Sequence, residues 1–194
     1  MKNTIQKTMN ELRADHRNMA QLLDLLDAET VRLADADEPD YDLVYDIMTY
    51  MSEYPDAVHH PKEDMIYRHL KANHDDIDES LRHIETDHKA LGIASHEIRR
   101  DIDAIAADGV VSREALAASL RKYSEDLRKH MYWEEKDLFE LADTMDDDES
   151  WAKLLKSYDE ASDPLFGSQT ERRFQKLFNG IQRRIVWDSQ QYFV

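Results

Sequence analysis

The sequence predicts an all-α protein, an up-down-up-down four-helix bundle with a C-terminal helical extension. Only 4 glycines and 4 prolines occur among 194 residues, as expected for a chain made mainly of helix. Apolar residues recur at three- and four-residue steps through four long segments, the pattern of helices with one buried face. Three turn signals separate these segments: Asp37-Glu38-Pro39, Asn73-His74-Asp75 and Asp108-Gly109.

The buried faces are predicted from the apolar stripes. In the first segment the stripe is Leu12, His16, Met19, Leu23 and Leu26. In the third it is Ile77, Leu81, Ile84, His88, Leu91, Ile98, Ile102 and Ile105. In the fourth it is Leu116, Leu120, Tyr123, Leu127, His130, Glu134, Leu138 and Leu141. The second segment contains Pro55 and Pro61, which lack an N–H group, so we expect a kink there.

We expect the bundle to span residues 1–145 and the extension residues 146–194. The acidic run 146–149 is interpreted as a solvated connector. A short helix is predicted from Trp151 to Tyr158, a turn at residues 163–167, and a longer helix from Gln169 to Trp187. The aromatic tail ends in Tyr192-Phe193-Val194. The extension is expected to pack on the bundle or on a partner subunit, which would give a homo-oligomer.

A histidine motif occurs twice along the predicted bundle. A single histidine is followed about 42 residues later by His-x-x-x-Glu, first as His16 with His59 and Glu63, then as His88 with His130 and Glu134. The turns lie midway between successive histidines, so antiparallel helices bring all four imidazoles to one level. A four-residue step places each glutamate on the same helical face as its histidine.

Six inward nitrogen and oxygen ligands at one level predict a dinuclear metal site with bridging glutamates. The blander interpretation is a buried polar layer. However, an unpaired buried carboxylate costs several kcal/mol, and the inward positions around these glutamates are apolar rather than basic. Imidazole and carboxylate ligands suit iron, zinc or manganese.

The second bundle segment allows two registers, because His60 and Asp64 are also four residues apart. The repeat favours His59 and Glu63, since Met131 and Glu135 stand where the second copy would match His60 and Asp64. The remaining histidines are predicted to lie at the surface: His69, His74, His83 and His96. Asp15 and Asp87, which precede the single histidines, are expected to face water or a neighbouring helix.

Composition excludes several classes of function. The chain has no cysteine, which excludes disulfides, thiolate metal sites and thiol catalysis. A net charge of −17 argues against nucleic acid and anionic membrane surfaces as partners. No signal-peptide core follows Met1 and no stretch reaches the length of a membrane span, so a cytoplasmic protein is expected.

The motifs resemble those of the hemerythrin-like HHE cation-binding family, over about residues 1–145. The resemblance implies a non-heme di-iron centre with an oxo or hydroxo bridge. His16, His59, His88 and His130 would be terminal ligands, and Glu63 and Glu134 would bridge. Oxygen-carrying members are less similar, because this chain has Ile84 and Gly92 at the places corresponding to their fifth histidine and has His-x-x-x-Glu where they end with His-x-x-x-x-Asp.

Three functions are compatible with this interpretation. The favoured one is a binding protein or sensor for O2, NO or peroxide, or for iron status. The second is a di-iron enzyme with peroxidase-like or NO-reducing activity. The third is a structural bundle without metal.

Overall fold

The computed structural model describes residues 4–73, 81, 83–144, 148–156 and 163–191, and it has no strand among them. The first bundle helix is α1 (Thr4–Ala34), and the third is α4 (Ile84–Ala106). The second consists of α2 (Tyr41–Tyr54), a π-helical segment (Pro55–His59) and α3 (His60–Asn73). The fourth consists of α5 (Arg113–Trp133), a π-helical segment (Glu134–Phe139) and α6 (Glu140–Asp143). Helix α1 packs on α5, α2 on α4, and α4 on α5. The predicted all-α bundle is confirmed.

The two described connections of the bundle are built alike. Helices α1 and α4 are each followed by a residue in the left-handed region, Ala36 with φ 60° and Asp108 with φ 59°. Each next helix begins with a side-chain cap, since Asp40 accepts a hydrogen bond from the Leu43 amide and Ser112 one from the Ala115 amide. The internal repeat therefore extends to the turns, two of which were predicted at residues 37–39 and 108–109.

The second bundle helix is π-helical beside the histidine motif, in the region where the prolines led us to expect a kink. The π-helical segment starts at Pro55, and the amide of His60 donates to the Pro55 carbonyl five residues earlier. Pro61 then lies in the first turn of α3. The distortion therefore falls between the two prolines and ends where the His-x-x-x-Glu motif begins.

The core consists of two hydrophobic clusters separated by the histidine and glutamate layer. Leu12 belongs to one cluster and Met19 to the other, with His16 between them. The same alternation occurs in the fourth helix, where Glu134 stands between Met131 and Leu138. The predicted stripes are buried apart from the half-buried Ile105 and Leu141, and from Ile77, which lies outside the described residues.

The C-terminal extension packs on the bundle. Helix α7 (Asp148–Lys156) places Trp151 in the cluster that contains Leu12. A 3₁₀ turn (Arg172–Phe174) and α8 (Gln175–Gln191) follow the predicted turn, in which Asp163 accepts a hydrogen bond from the Tyr50 hydroxyl at 3.0 Å. The extension adds Leu165, Phe174, Leu177 and Ile181 to the cluster that contains Met19.

Two sequence expectations for this part of the chain need correction. Asp148 and Glu149 begin α7 and are not part of a connector, because their acidic side chains suit the first turn of a helix. His69 is half-buried, with its ring 4.6 Å from that of Trp151 and its Nε2 atom 3.2 Å from the Ser150 hydroxyl. His83 and His96 are exposed as expected, whereas His74 and residues 192–194 lie outside the described part.

Candidate metal centre

The six side chains predicted from the repeat converge at the centre of the bundle, one or two from each bundle helix. Their exposed fractions are at most 6%: His16 3%, His59 1%, Glu63 0%, His88 6%, His130 5% and Glu134 1%. The apolar faces of the helices place them there, because each replaces an apolar residue in a stripe that would otherwise be continuous. They form two pairs of histidines, His16 with His59 and His88 with His130, around two carboxylates.

Each glutamate reaches both histidine pairs. Glu63 Oε1 lies 3.3 Å from His16 Nε2 and 3.2 Å from His59 Nε2, while its Oε2 lies 3.5 Å from His88 Nε2. Glu134 is arranged in the opposite sense. Its Oε1 lies 3.1 Å from His88 Nε2 and 3.2 Å from His130 Nε2, and its Oε2 lies 3.5 Å from His16 Nε2. The two carboxylates thus span the space between the pairs.

Most of these converging atoms lack hydrogen bonds. The buried atoms without an aligned partner include both oxygens of Glu63, Oε2 of Glu134, and Nε2 of His16, His59 and His130. Every ion pair of Glu63 and Glu134 in the described part of the chain is with a histidine. Buried polar atoms are normally satisfied, so this many orphaned donors and acceptors fits the ligand set of a bound cation.

The opposite nitrogen of each histidine faces a second carboxylate on a neighbouring helix. The Nδ1-to-oxygen distances are 3.1 Å for His16 with Glu135, 3.1 Å for His59 with Asp15, 2.8 Å for His88 with Asp64 and 4.0 Å for His130 with Asp87. An ionised carboxylate only accepts hydrogen bonds, so Nδ1 carries the proton in the three close pairs. In a neutral ring of such a pair, the Nε2 atom with its lone pair would be directed at the centre, as in metal-binding histidines.

These supporting acids follow the repeat as well. The acid before each single histidine lies near the His-x-x-x-Glu histidine of the same copy, as Asp15 does for His59. The acid after each glutamate supports a single histidine, as Asp64 does for His88. Asp15 and Asp87 face a neighbouring helix and water, respectively, as expected. The roles of Asp64 and Glu135 were missed, although their equal positions in the two copies could have revealed them.

The electrostatics of the site link carboxylates to histidines. Burial alone would raise the pKa of Glu63, but the adjacent His59, His16 and His88 hold it well below the usual value. Burial would lower the pKa of His16, yet the neighbouring carboxylates of Glu134, Glu135 and Glu63 raise it well above 6.5. Burial would also lower the pKa of His88, but Asp64 and Glu134 raise it to about 12. Without metal, protons on these rings balance the buried carboxylates.

His60 also lies at the centre, which the sequence did not predict. It is 6% exposed, and its ring stacks on that of His88 with centroids 4.3 Å apart. Burial lowers its pKa to about 4, so the ring is neutral. Three groups of side chains have ligand atoms close enough for one ion: His16, His59 and Glu63; Glu63, His88, His130 and Glu134; and His60, His88 and His130.

Three cavities border the cluster from outside. One of about 630 Å³ is lined by His60, Pro61, Asp64, His88 and Gly92, among others. A second, of about 290 Å³, lies against His16, Ala20, Met131 and Glu135, and a third, of about 200 Å³, against His130. Each histidine pair therefore has a cavity against at least one of its rings.

Comparison with known proteins gives one family. The model of the hemerythrin HHE cation binding domain matches residues 8–142. Comparison with curated proteins and with solved structures gave no significant match. Among the described residues, no helix has the length and apolar character needed to cross a membrane.

Proposed function

Since the chain belongs to the hemerythrin HHE cation-binding family, we propose that it is a dinuclear metal protein that binds or senses a small ligand. His16 and His59 would hold one ion and His88 and His130 the other, with Glu63 and Glu134 as ligands shared between them. The observation that carries this proposal is the convergence of buried, unpaired Nε2 and carboxylate oxygen atoms. A buried polar layer without metal would need protonated imidazoles to balance the two carboxylates inside the core, and the lack of aligned hydrogen bonds among these atoms disfavours that structural alternative.

Iron is the metal implied by the resemblance to the family. The ligand set itself, imidazole and carboxylate, also accommodates zinc or manganese. A pair of ferrous ions would supply binding positions and electrons for O2, NO or peroxide. The protein residues would hold the ions, while the two flanking hydrophobic clusters exclude bulk water and the supporting acids orient the imidazoles.

Elemental analysis of the purified, untagged protein tests the metal site. We expect about two metal ions per chain, and a folded protein that takes up none from ferrous iron under anaerobic conditions would contradict the proposal. Anaerobic mixing with NO, O2 and peroxide, followed by absorption spectroscopy, then tests the ligand. Stoichiometric binding without continued consumption supports a binding protein or sensor, whereas turnover supports the enzyme alternative.

A further inference from the structure

Asp163 shapes a turn of the C-terminal extension and also fastens that turn to the second bundle helix. Its Oδ1 atom accepts hydrogen bonds from the amides of Leu165 and Phe166, at 2.8 and 2.9 Å. Its Oδ2 atom accepts one from the hydroxyl of Tyr50, at 3.0 Å. Because one carboxylate makes all three bonds, the position of the turn and the position of Tyr50 depend on each other.

The Tyr50 side chain lies in an aromatic cluster to which the bundle and the extension both contribute. Tyr50 is 0% exposed, and its ring meets those of Phe166 and Phe174 edge-on, with centroids 5.9 Å apart in each pair. It also stacks on Tyr54, one turn further along the same helix, with centroids 5.6 Å apart. A buried ring with such neighbours has little freedom to move, because protein interiors are close-packed. The extension therefore restricts Tyr50, and Tyr50 restricts Tyr54.

Tyr54 connects this aromatic cluster to the candidate metal centre. Its hydroxyl donates to Asp15 Oδ2 at 3.1 Å, and the same oxygen lies 3.1 Å from His59 Nδ1. Because the two donors share one oxygen, displacement of the Tyr54 hydroxyl changes the acceptor that orients the His59 ring. Asp163, Tyr50, Tyr54 and Asp15 thus form a continuous series of contacts from the extension to His59, which we call the tyrosine chain.

Charge also links the two ends of the tyrosine chain. Burial raises the pKa of Asp163, and the nearby charge of Asp15 adds to this effect. The two carboxylates therefore repel each other, and the hydroxyl groups of Tyr50 and Tyr54 offset part of this repulsion by donating to one carboxylate each. A change in the position of either acid is thus felt at the other.

The other copy of the histidine repeat lacks the tyrosine chain. Where the offset of 71 or 72 residues between the copies predicts counterparts of Tyr50 and Tyr54, the fourth bundle helix has only charged residues: Arg121, Lys122, Glu125 and Asp126. Asp87 is also farther from its histidine than Asp15 and more exposed. Support of a histidine at this centre does not require tyrosines, so the chain is an addition on the side where the extension packs.

We propose that the C-terminal extension is coupled through the tyrosine chain to the metal ion held at His59. This inference rests on the proposed metal site. Metal binding at His59 Nε2 would fix the ring and, through Asp15 and Tyr54, tighten the turn at Asp163. Release of the turn would in return leave His59 less well oriented, because coupling between two sites is reciprocal. In a metal or ligand sensor, the extension is then the part of the molecule that reports the state of the centre.

Hydrogen exchange measured by mass spectrometry tests the coupling on the full chain. Wild-type protein, Tyr54→Phe and a control are compared without metal and after anaerobic loading with ferrous iron. In wild type, loading should slow the exchange of amides in residues 163–181 by about tenfold, within the usual range of coupling between sites. In Tyr54→Phe the slowing should fall to about twofold or less, because the hydroxyl that contacts Asp15 is missing.

Two comparisons make this experiment specific. Tyr123→Phe is the matched control, because it removes a phenol hydroxyl from the same hydrophobic cluster but outside the tyrosine chain, and it should behave like wild type. Helix α7 is the internal reference for general stabilisation by metal, since its Trp151 packs in the other hydrophobic cluster. Its exchange should slow less than that of residues 163–181.

The reverse effect is measured at the metal. Tyr50→Phe keeps the ring but breaks the hydrogen bond with Asp163, so it should weaken the retention of iron against a chelator by about fivefold or more. Tyr123→Phe should retain iron as wild type does. If the Tyr50 hydroxyl only stabilised the fold, Tyr50→Phe would lower the melting temperature without changing the chelator competition.

The outcomes separate this inference from the proposed function. Wild-type protein that binds no iron overturns both. Wild-type protein that binds two irons but shows equal slowing in the extension and in α7 overturns only the coupling, as does a Tyr54→Phe variant that responds to iron like wild type. If circular dichroism shows that Tyr54→Phe is unfolded, Tyr50→Phe is measured by hydrogen exchange against the same expectations.

Discussion

The centre has two halves, one with His16 and His59 and one with His88 and His130. They differ in how closely an acid supports a histidine and in the size of the cavity beside them. In the first half, Asp15 lies 3.1 Å from His59 Nδ1 and its side chain is 17% exposed. In the second, Asp87 lies 4.0 Å from His130 Nδ1 and is 52% exposed. The cavity beside the first half is about 290 Å³, whereas the groove beside His60 and His88 is about 630 Å³. The repeat thus fixes the central ligands but leaves support and access free to differ.

The largest expected effect comes from Glu63→Gln, which affects both halves at once. The amide keeps the shape of the side chain but loses the charge and one acceptor oxygen, so we expect metal content to fall from about two ions per chain to near zero. Elemental analysis measures this. Glu140→Gln is the control, because Glu140 is exposed in α6. Retention of two ions by Glu63→Gln would rule out bridging by this carboxylate.

The next largest effect is a difference in metal retention between two variants that each lose the equivalent histidine of one half. His59→Ala leaves His16 as the single imidazole of its half, so we expect metal content to approach one ion per chain. His130→Ala leaves His88 together with His60, so the same substitution in the second half should weaken metal retention less. Chelator competition on the two variants, with both folds checked by circular dichroism, provides the comparison. Equal losses would show that His60 gives no support to the second half.

A smaller contrast is expected at the supporting acids. Asp15 accepts hydrogen bonds from His59 and from the Tyr54 hydroxyl, both at 3.1 Å. Asp15→Asn should therefore lower metal affinity by roughly 10–100-fold. Asp87→Asn should change it much less, because Asp87 is distant from His130 and mostly in water. Competition titrations with a chromophoric chelator measure both, and a similar loss in the two variants would contradict the difference drawn between the halves.

The smallest expected effect is the change of folding stability with pH, and its direction depends on whether metal is bound. The raised pKa values of His16, His59 and His88 give stabilisation that is full below the unfolded value of 6.5 and is lost as pH rises. The lowered pKa values of Glu63 and Glu134 give stabilisation that is full above 4.5 and is lost as pH falls. Metal-free protein should therefore be most stable between these values.

Thermal unfolding at several pH values tests this expectation. The melting temperature of metal-free protein should fall by roughly 5 °C between pH 6.5 and 8.5. Metal-loaded protein should not show this fall, because ions bind neutral imidazoles and are held more tightly as protons are removed. Parallel curves for the two forms would mean that protons and metal ions do not compete for these rings.

Much of the fold and of the central cluster was predictable, because both depend on periodicity and repetition. The spacing of Leu12, His16 and Met19 predicts a buried helical face, and the recurrence of His-x-x-x-Glu indicates which polar residues lie on such faces. His60 escaped because Met131, its counterpart, gives no repeat signal. His69 was misplaced because its burial depends on Trp151, whose position is set by tertiary packing of the extension. The spacing of residues within a helix predicts which face is buried, but it does not predict contacts between segments that are distant in the sequence.

The π-helical segment Pro55–His59 accounts for a small mismatch in the chain. From the cap Asp40 to His59 there are 19 residues, but from the cap Ser112 to His130 there are 18. In an ideal α-helix, one added residue would turn everything beyond it by about 100° and point His59 and Glu63 away from the centre. The wider turn takes up the added residue, so the angular phase of the helix is correct on both sides. Because of this π-helical segment, the second and fourth bundle helices can direct their ligands to the same centre although one has an additional residue before its motif.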